Sequence, residues 1–248
     1  MGQTIAVVSG KGGTGKTSFT ANVGMALAQL GHSTLCLDCD IGLRNLDIAM
    51  SMTDRAVMDF TDVLAGFCSL KDAVTPHPLQ KNLYLLTAPS RLFRGESVDT
   101  ATLVKFFLEI RMMFDYCLID APAGLGDGFR LAISGADRAI VVTTTDASSL
   151  RDAQRTVMEL DRLPKGRVHL VVNRCRKKLL RSLHQTIDDA IDMAGLPLLG
   201  VVPEDDTMPL YAGRGIPLLL TDNNCSARAY RNIAKRLSGQ KAPLMKIR

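Results

Sequence analysis

Gly10, Gly15, Lys16 and Thr17 stand at the spacing G-x-x-x-x-G-K-[ST] in the run Ser9-Gly10-Lys11-Gly12-Gly13-Thr14-Gly15-Lys16-Thr17-Ser18. The chemistry that this spacing serves is anion binding. Glycines let a backbone curl until its N–H groups converge on one phosphate-sized nest, at the positive N-terminus of the helix that follows. Lys16 then reaches the β- and γ-phosphates of a nucleotide, and the Thr17 hydroxyl binds Mg²⁺. A second candidate is Asp120, which ends the apolar run Tyr116-Cys117-Leu118-Ile119 and is followed by Ala121-Pro122-Ala123-Gly124. Four apolar residues and an aspartate make a Walker B-like element, whose carboxylate holds Mg²⁺ directly or through water.

Those groups need a strand before them and a helix behind. Thr4-Ile5-Ala6-Val7-Val8 is apolar and β-branched, as a buried parallel strand requires, and beyond Thr17 the residues Phe19, Val23, Leu27 and Leu30 fall at helical spacing before Gly31. A glycine-rich turn that binds nothing is the competing reading, and strand, loop, Lys-Thr and helix in that order weigh against it. Further strands are expected at 34–38, 83–87, 115–119, 138–143, 168–172 and 198–202, with helical patterns between most of them, such as Leu150, Ala153, Val157 and Leu160. The expected fold is therefore α/β, a doubly wound and mostly parallel sheet flanked by helices, with ligands at the carboxyl ends of the strands.

Composition bounds the rest. A chain of 248 residues with 46% hydrophobic and 22% charged residues is long enough to bury a full core, and one domain over 1–248 is expected. No run of about 18 apolar residues exists. Met1-Gly2-Gln3 enters a strand at once and leaves no room for a signal peptide, so a cytoplasmic location is expected. Cys36 and Cys39 form a C-x-x-C at a strand end with no second pair at zinc spacing, and are expected as core or near-core thiols.

Lys11 sharpens the assignment, because an ordinary phosphate loop does not require a lysine there and it has no obvious target in its own subunit. Lys11-Gly12-Gly13-Thr14-Gly15-Lys16-Thr17 resembles the deviant Walker A motif of the MinD/ParA class of P-loop ATPases. In that class the extra lysine reaches across a nucleotide-sandwich dimer to the partner's phosphates. Asp38-Cys39-Asp40-Ile41-Gly42-Leu43-Arg44-Asn45-Leu46-Asp47 closely resembles switch I of the septum-site branch of the class. The resemblance implies that Asp40 orients and polarises the attacking water and that Asn45 belongs to the same switch. Asp120-Ala121-Pro122-Ala123-Gly124 resembles switch II, where Gly124 would sense the γ-phosphate. It further implies that Asn173 and Arg174, and the backbone of Pro203-Glu204-Asp205, hold adenine; Asn173 alone is equally a strand-ending turn residue.

By resemblance the ligands are ATP and Mg²⁺, with hydrolysis to ADP and phosphate in a cycle that regulates division-septum placement. The implied partners are a second copy of the chain, a MinC-like septum inhibitor, and a MinE-like activator or topological factor, with no specific nucleic acid. Thr143 to Ala153 matches the segment that opens a partner-binding helix, and Ser149 with Asp152 also has capping-box spacing. A flagellar-number or chromosome-partition ATPase, and a non-hydrolysing nucleotide-binding scaffold, are the alternatives.

Charge is uneven along the chain. Residues 226–248 hold seven of the thirty Lys and Arg and no acid, so the excess of positive charge lies in the C-terminal tail. Tyr230, Ile233, Ala234 and Leu237 share one face there, with Arg228, Arg231 and Lys235 opposite, as in a last helix packed on the sheet with a basic face in solvent. A second basic run spans Arg174 to Arg181. The class usually continues into an amphipathic membrane-targeting segment, whereas the short basic tail 239–248 ends in Pro243-Leu244-Met245-Lys246-Ile247-Arg248, too few apolar residues for a stable interfacial helix. Peripheral attachment at the inner face of the cell membrane is left open.

Overall fold

The computed structural model describes residues 1–89, 99–164, 166–176, 180, 186–213, 217–220 and 225–245. Part of the second basic run and the last three residues of the tail lie outside these. Eight strands form one sheet among the described residues: β1 (Gln3–Val8), β2 (Thr34–Asp38), β3 (Thr75–Pro76), β4 (Leu83–Leu86), β5 (Tyr116–Asp120), β6 (Arg138–Thr143), β7 (Val168–Cys175) and β8 (Leu198–Pro203). Their order is β3-β4-β2-β5-β1-β6-β7-β8, parallel throughout except for the antiparallel pair β3 and β4. All seven sequence-expected strands are present. The eighth, β3, lies at the edge, where Pro76 can stand without a ladder N–H.

Strand β1 sits at the middle of the sheet, flanked by β5 on one side and β6 on the other. The chain winds outward in both directions from this point, which opens a crevice at the carboxyl ends. The ten α-helices described are α1 (Lys16–Gln29), α2 (Leu46–Ala49), α3 (Phe60–Leu64), α4 (Leu70–Ala73), α5 (Thr100–Met113), α6 (Asp127–Ser134), α7 (Ala147–Met158), α8 (Ile187–Ala194), α9 (Met208–Gly213) and α10 (Cys225–Leu237).

Alternation along the strands divides the core between the two faces. Ile5 and Val7 of β1 pack with Phe19, Val23 and Leu27 of α1 and with Tyr230, Ile233 and Leu237 of α10. Ala6 and Val8 pack on the opposite face, with Phe106 and Ile110 of α5 and Leu150 of α7. Burial of side chains of this size contributes about 1.5–3 kcal/mol each, so α1 is anchored far more by packing than by helix propensity. Phe19 and Tyr230 meet edge to face with ring centroids 6.2 Å apart, which ties α10 to the helix that carries the phosphate loop. Cys36, Cys39 and Cys117 are buried, as the reading of core thiols requires, and burial raises the pKa of each.

Candidate functional site

The loop between β1 and α1 has the backbone that its glycines permit. Gly13 and Gly15 have φ of 80° and 89°, in the left-handed region, and a Cβ at Gly15 would collide with the Asn173 amide. At Gly10 the reason is proximity instead, since a Cβ would stand 2.6 Å from the carbonyl oxygen of Asp152 on α7. Gly12 is exposed at the loop's rim. Lys16 is only 7% exposed, and its Nζ donates to Ser9 Oγ at 2.9 Å. Burial lowers its pKa, while Asp120 and Asp40 pull the other way. Thr14 Oγ1 is buried and has no hydrogen-bond partner among the described residues. A buried lysine and an orphaned hydroxyl on one glycine-rich loop at a helix N-terminus are groups that a phosphate would satisfy.

Opposite the loop, Asp38 and Asp120 end β2 and β5 as register partners. Asp120 accepts from Thr20 Oγ1 at 3.2 Å, and its pKa is pushed up to about 7 by burial and by Asp38, against the pull of Thr17, Lys16 and Thr20. Asp38 was absent from the sequence-derived site. Its carboxylate accepts the backbone N–H of Asp40 at 2.8 Å and of Leu46 at 3.2 Å, pinning both ends of the loop between β2 and α2. Burial raises its pKa to about 6 despite those two bonds. Asp40 is half-buried, with its pKa raised by burial and lowered by Lys16. Gly124 has φ of 87°, and its N–H donates to Ser9 O at 3.3 Å.

These raised pKa values set a pH dependence. Between about pH 4 and 7 the folded protein holds protons on Asp38 and Asp120 that the unfolded chain has released, so their contribution to stability falls as pH rises through that window. The nucleotide-free Asp38→Asn variant should therefore gain on the wild type as pH goes from 5 to 7.5, by roughly 1.4 kcal/mol, since about one pKa unit separates pH 5 from the folded Asp38 pKa and each unit is worth 1.36 kcal/mol. Urea midpoints of both proteins at the two pH values measure this. A constant gap between them would contradict the assignment.

Arg44 and Asp47 explain more of the same loop. Arg44, at φ of 43°, donates from Nε to Asp47 Oδ2 at 3.2 Å and from Nη2 to Ala56 O at 3.2 Å. The pair staples α2 to the segment after it. Their i, i+3 spacing is the sequence signal that could have revealed them.

A cavity of about 520 Å³ opens beside the phosphate loop, within the range of small-molecule sites. Gly15, Thr17, Ser18 and Asn45 line its near side, and Asn173, Arg174, Pro203, Glu204 and Asp205 its far side. Met208, Leu218 and Tyr230 complete the apolar part. Asn173 and Arg174 lie inside β7, at a register shift against β8, and not beyond the strand's end as the sequence suggested. Asn173 Nδ2 donates to Thr14 O at 2.8 Å, and Arg174 holds Glu204 at 2.9 Å and Gly13 O at 3.0 Å. Both side chains thus brace the phosphate loop as well as line the cavity.

Two expectations on the β6 side need correction. Lys11 does have partners in its own subunit, donating to Ser148 Oγ at 2.8 Å and lying 3.6 Å from Asp146 Oδ1. The N-cap of α7 is Asp146, not Ser149, since the Asp146 carboxylate accepts Ser149 N–H at 3.0 Å. Partial burial pushes the Asp146 pKa up, but bonds from Ser148, Thr144 and Ser149 outweigh it and hold the carboxyl below its ordinary range.

Residues 5–218 match the CobQ/CobB/MinD/ParA nucleotide binding domain family. The chain belongs to that family. It is 38% identical over 246 residues to the septum site-determining protein MinD of Bacillus subtilis, covering 98% of this chain and 92% of the relative. Identity to the Synechocystis septum site-determining protein MinD is 37% over 248 residues, covering 99% and 92%. Among solved structures, it matches MinD in the MinC:MinD cell division protein complex of Aquifex aeolicus with a TM-score of 0.90 and 34% identity over 98% of both chains. The Pyrococcus horikoshii MinD complexed with Mg-ADP matches with a TM-score of 0.80 and 30% identity over 96% of both chains. Membership of the family makes the doubly wound sheet a P-loop nucleotide-binding fold of the MinD type. The phosphate-loop lysines, Asp38, Asp40, Asp120 and the cavity lining as far as Leu218 lie within the matched span, and Tyr230 lies beyond it.

Proposed function

We propose that the protein is a slow, Mg²⁺-dependent ATPase of the MinD kind, which closes into a homodimer around two ATP molecules, opens after hydrolysis, and takes part in placing the division septum. One observation carries this function: Lys16 of the phosphate loop is buried within electrostatic reach of two carboxylates, Asp120 at the end of β5 and Asp40 on the loop that follows β2. A cation and two acids beside a phosphate nest are the parts that phosphoryl transfer to water requires. Lys16 turns from Ser9 to the β- and γ-phosphates, and the loop N–H groups and the Thr14 hydroxyl take the remaining oxygens. Asp40 stands at the solvent side, where it orients the attacking water. Gly124 gives up its bond to Ser9 to meet the γ-phosphate. Asn173 Oδ1 faces the adenine amino group while Nδ2 keeps Thr14, and the backbone of Pro203 to Asp205 borders the base.

Thr17 and Asp120 are the residues that would hold Mg²⁺, and the ion would neutralise charge on the phosphates. The site fits that ion, because Mg²⁺ is commonly bound through one or two protein groups plus substrate phosphates. Among the described residues no cluster of three or more His, Cys, Asp or Glu is placed to hold a metal without such help.

The whole chain is assigned as one ATPase domain, working in the cytoplasm or at the inner face of the cell membrane. The relative solved with MinC points to a MinC-like partner, and the α7 surface around Arg151 and Asp152 is assigned to it; a MinE-like activator or topological factor would act on the same cycle. The tail up to Met245 folds back on α10, where Asn232 donates to Pro243 O at 3.1 Å and Arg236 to Ala242 O at 3.0 Å. Its remaining contact with anionic lipid is electrostatic and salt-sensitive.

Turnover measured alone, with anionic vesicles and with duplex DNA tests this function. We expect on the order of one ATP per minute or less, vesicle association that vanishes at physiological salt, and no effect of DNA. Stimulation and tight ATP-dependent binding by DNA would assign the chain to partition, and the absence of any hydrolysis would make it a binding scaffold.

A further inference from the structure

His77 is a buried, titratable side chain that none of the chemistry above uses. It stands just beyond β3, is 6% exposed, and its backbone N–H donates to Leu83 O at 2.9 Å, which fixes the residue to the β3–β4 edge of the sheet. Its ring is engaged on both sides. Nδ1 accepts the backbone N–H groups of Leu79 and Gln80, each at 3.1 Å, so that nitrogen carries no proton. The proton is therefore on Nε2, which donates to the carbonyl oxygen of Met50 at 3.0 Å. Met50 caps the C-terminus of α2, whose Ile48 and Ala49 line the nucleotide-sized cavity and whose N-cap is Asn45.

We infer that His77 is a positioning residue, which holds the far end of the switch helix α2 through Met50 only while its ring is neutral. Asp38 pins the start of that segment through Leu46 N–H, and His77 pins its end, so α2 is held between two clamps, one at the carboxyl end of β2 and one bonded to the start of β4. Protonation of Nδ1 would set a donor against the two N–H groups of the turn and break the geometry that aims Nε2 at Met50. Burial keeps the ring neutral at ordinary pH; the Met50 carbonyl favours the charged ring, but burial together with Arg55 outweighs it. With its pKa below the ordinary histidine value, the clamp is intact above about pH 6.5 and is lost as pH falls through the folded pKa.

Its role in nucleotide binding rests on the function proposed above, but the clamp itself does not. Hydrogen exchange of the nucleotide-free protein at pH 8 and pH 5, corrected for intrinsic rates, reads the amides of Ala49, Met50, Ser51 and Met52, which bond to Asn45, Leu46, Ile48 and Asp47. His77→Gln supplies a non-titrating amide donor for Met50, and His77→Phe supplies none. We expect these amides to lose protection on acidification in wild type on the order of tenfold more than in His77→Gln. In His77→Phe they should be unprotected already at pH 8. The Gln variant also controls for Asp38 and Asp120, which titrate in the same range. An equal pH response in wild type and His77→Gln overturns the proposal even if the Phe variant fails to fold, as does full protection in His77→Phe. A parallel titration with ADP should show affinity falling with pH in wild type more than in His77→Gln. If ADP binds neither protein, the nucleotide function fails while the exchange pattern still decides the clamp.

Discussion

Asp40→Ala should bind ATP with near wild-type affinity and hydrolyse it about 10²–10⁴-fold more slowly, the span expected when a positioned proton-accepting group is removed. The residue follows β2 on a loop whose backbone Asp38 fixes through two N–H bonds, so truncating the Asp40 side chain leaves the loop anchored. The phosphate nest is built from a different loop and is untouched. Lys16→Ala should do the reverse and weaken ATP and ADP binding directly. It removes the buried cation that Asp120 and Asp40 face, leaving two carboxylates without their counter-charge at a site meant for phosphate. Fluorescent-nucleotide titration and single-turnover hydrolysis separate the two effects. Wild-type turnover in Asp40→Ala, or wild-type affinity in Lys16→Ala, would contradict the assigned roles.

Lys11→Ala should abolish ATP-dependent dimerisation, and the contacts of Lys11 within its own subunit make that expectation sharper. The Lys11 and Asp146 side chains are each 47% exposed, and an ion pair so exposed is worth about 0–1 kcal/mol. Such a contact parks the lysine without committing it. A partner's phosphates, carrying several charges in a closed interface, would outcompete one solvated carboxylate. Asp146→Asn should keep the α7 cap, since Asn caps as well as Asp, and free Lys11 of its charged partner. The ATP concentration at half-maximal dimer should then fall by up to about fivefold, the equivalent of 1 kcal/mol. No change in Asp146→Asn would show that the parked state does not compete with dimerisation.

The strands that carry the site were legible because each is a short apolar run closed by polar, glycine or proline residues, and burial on both faces of a parallel sheet writes that pattern directly. The edge strand β3 was not, being two residues long and containing Pro76. The phosphate loop could be read residue by residue, since its chemistry is local in sequence. What escaped was every contact made across the fold. Ser148 lies 137 positions from Lys11, and no spacing rule links them. Asn173 could be read as an adenine ligand from its amide, but its donation to Thr14, 159 positions away, follows only from the irregular end of β7. Asp38 was passed over for Asp40 because its role is to hold backbone, a function that leaves no mark beyond a carboxylate at a strand end.

Light scattering of the Asp40→Ala protein decides whether two copies of this chain close on ATP with Lys11 acting across the interface. Blocked hydrolysis preserves the complex long enough to weigh it. The expected species are a dimer with ATP and Mg²⁺, a monomer with ADP, and a monomer with ATP when Lys11→Ala is added. A dimer that persists with ATP in the Lys11→Ala, Asp40→Ala double variant would contradict the role of Lys11 across the interface.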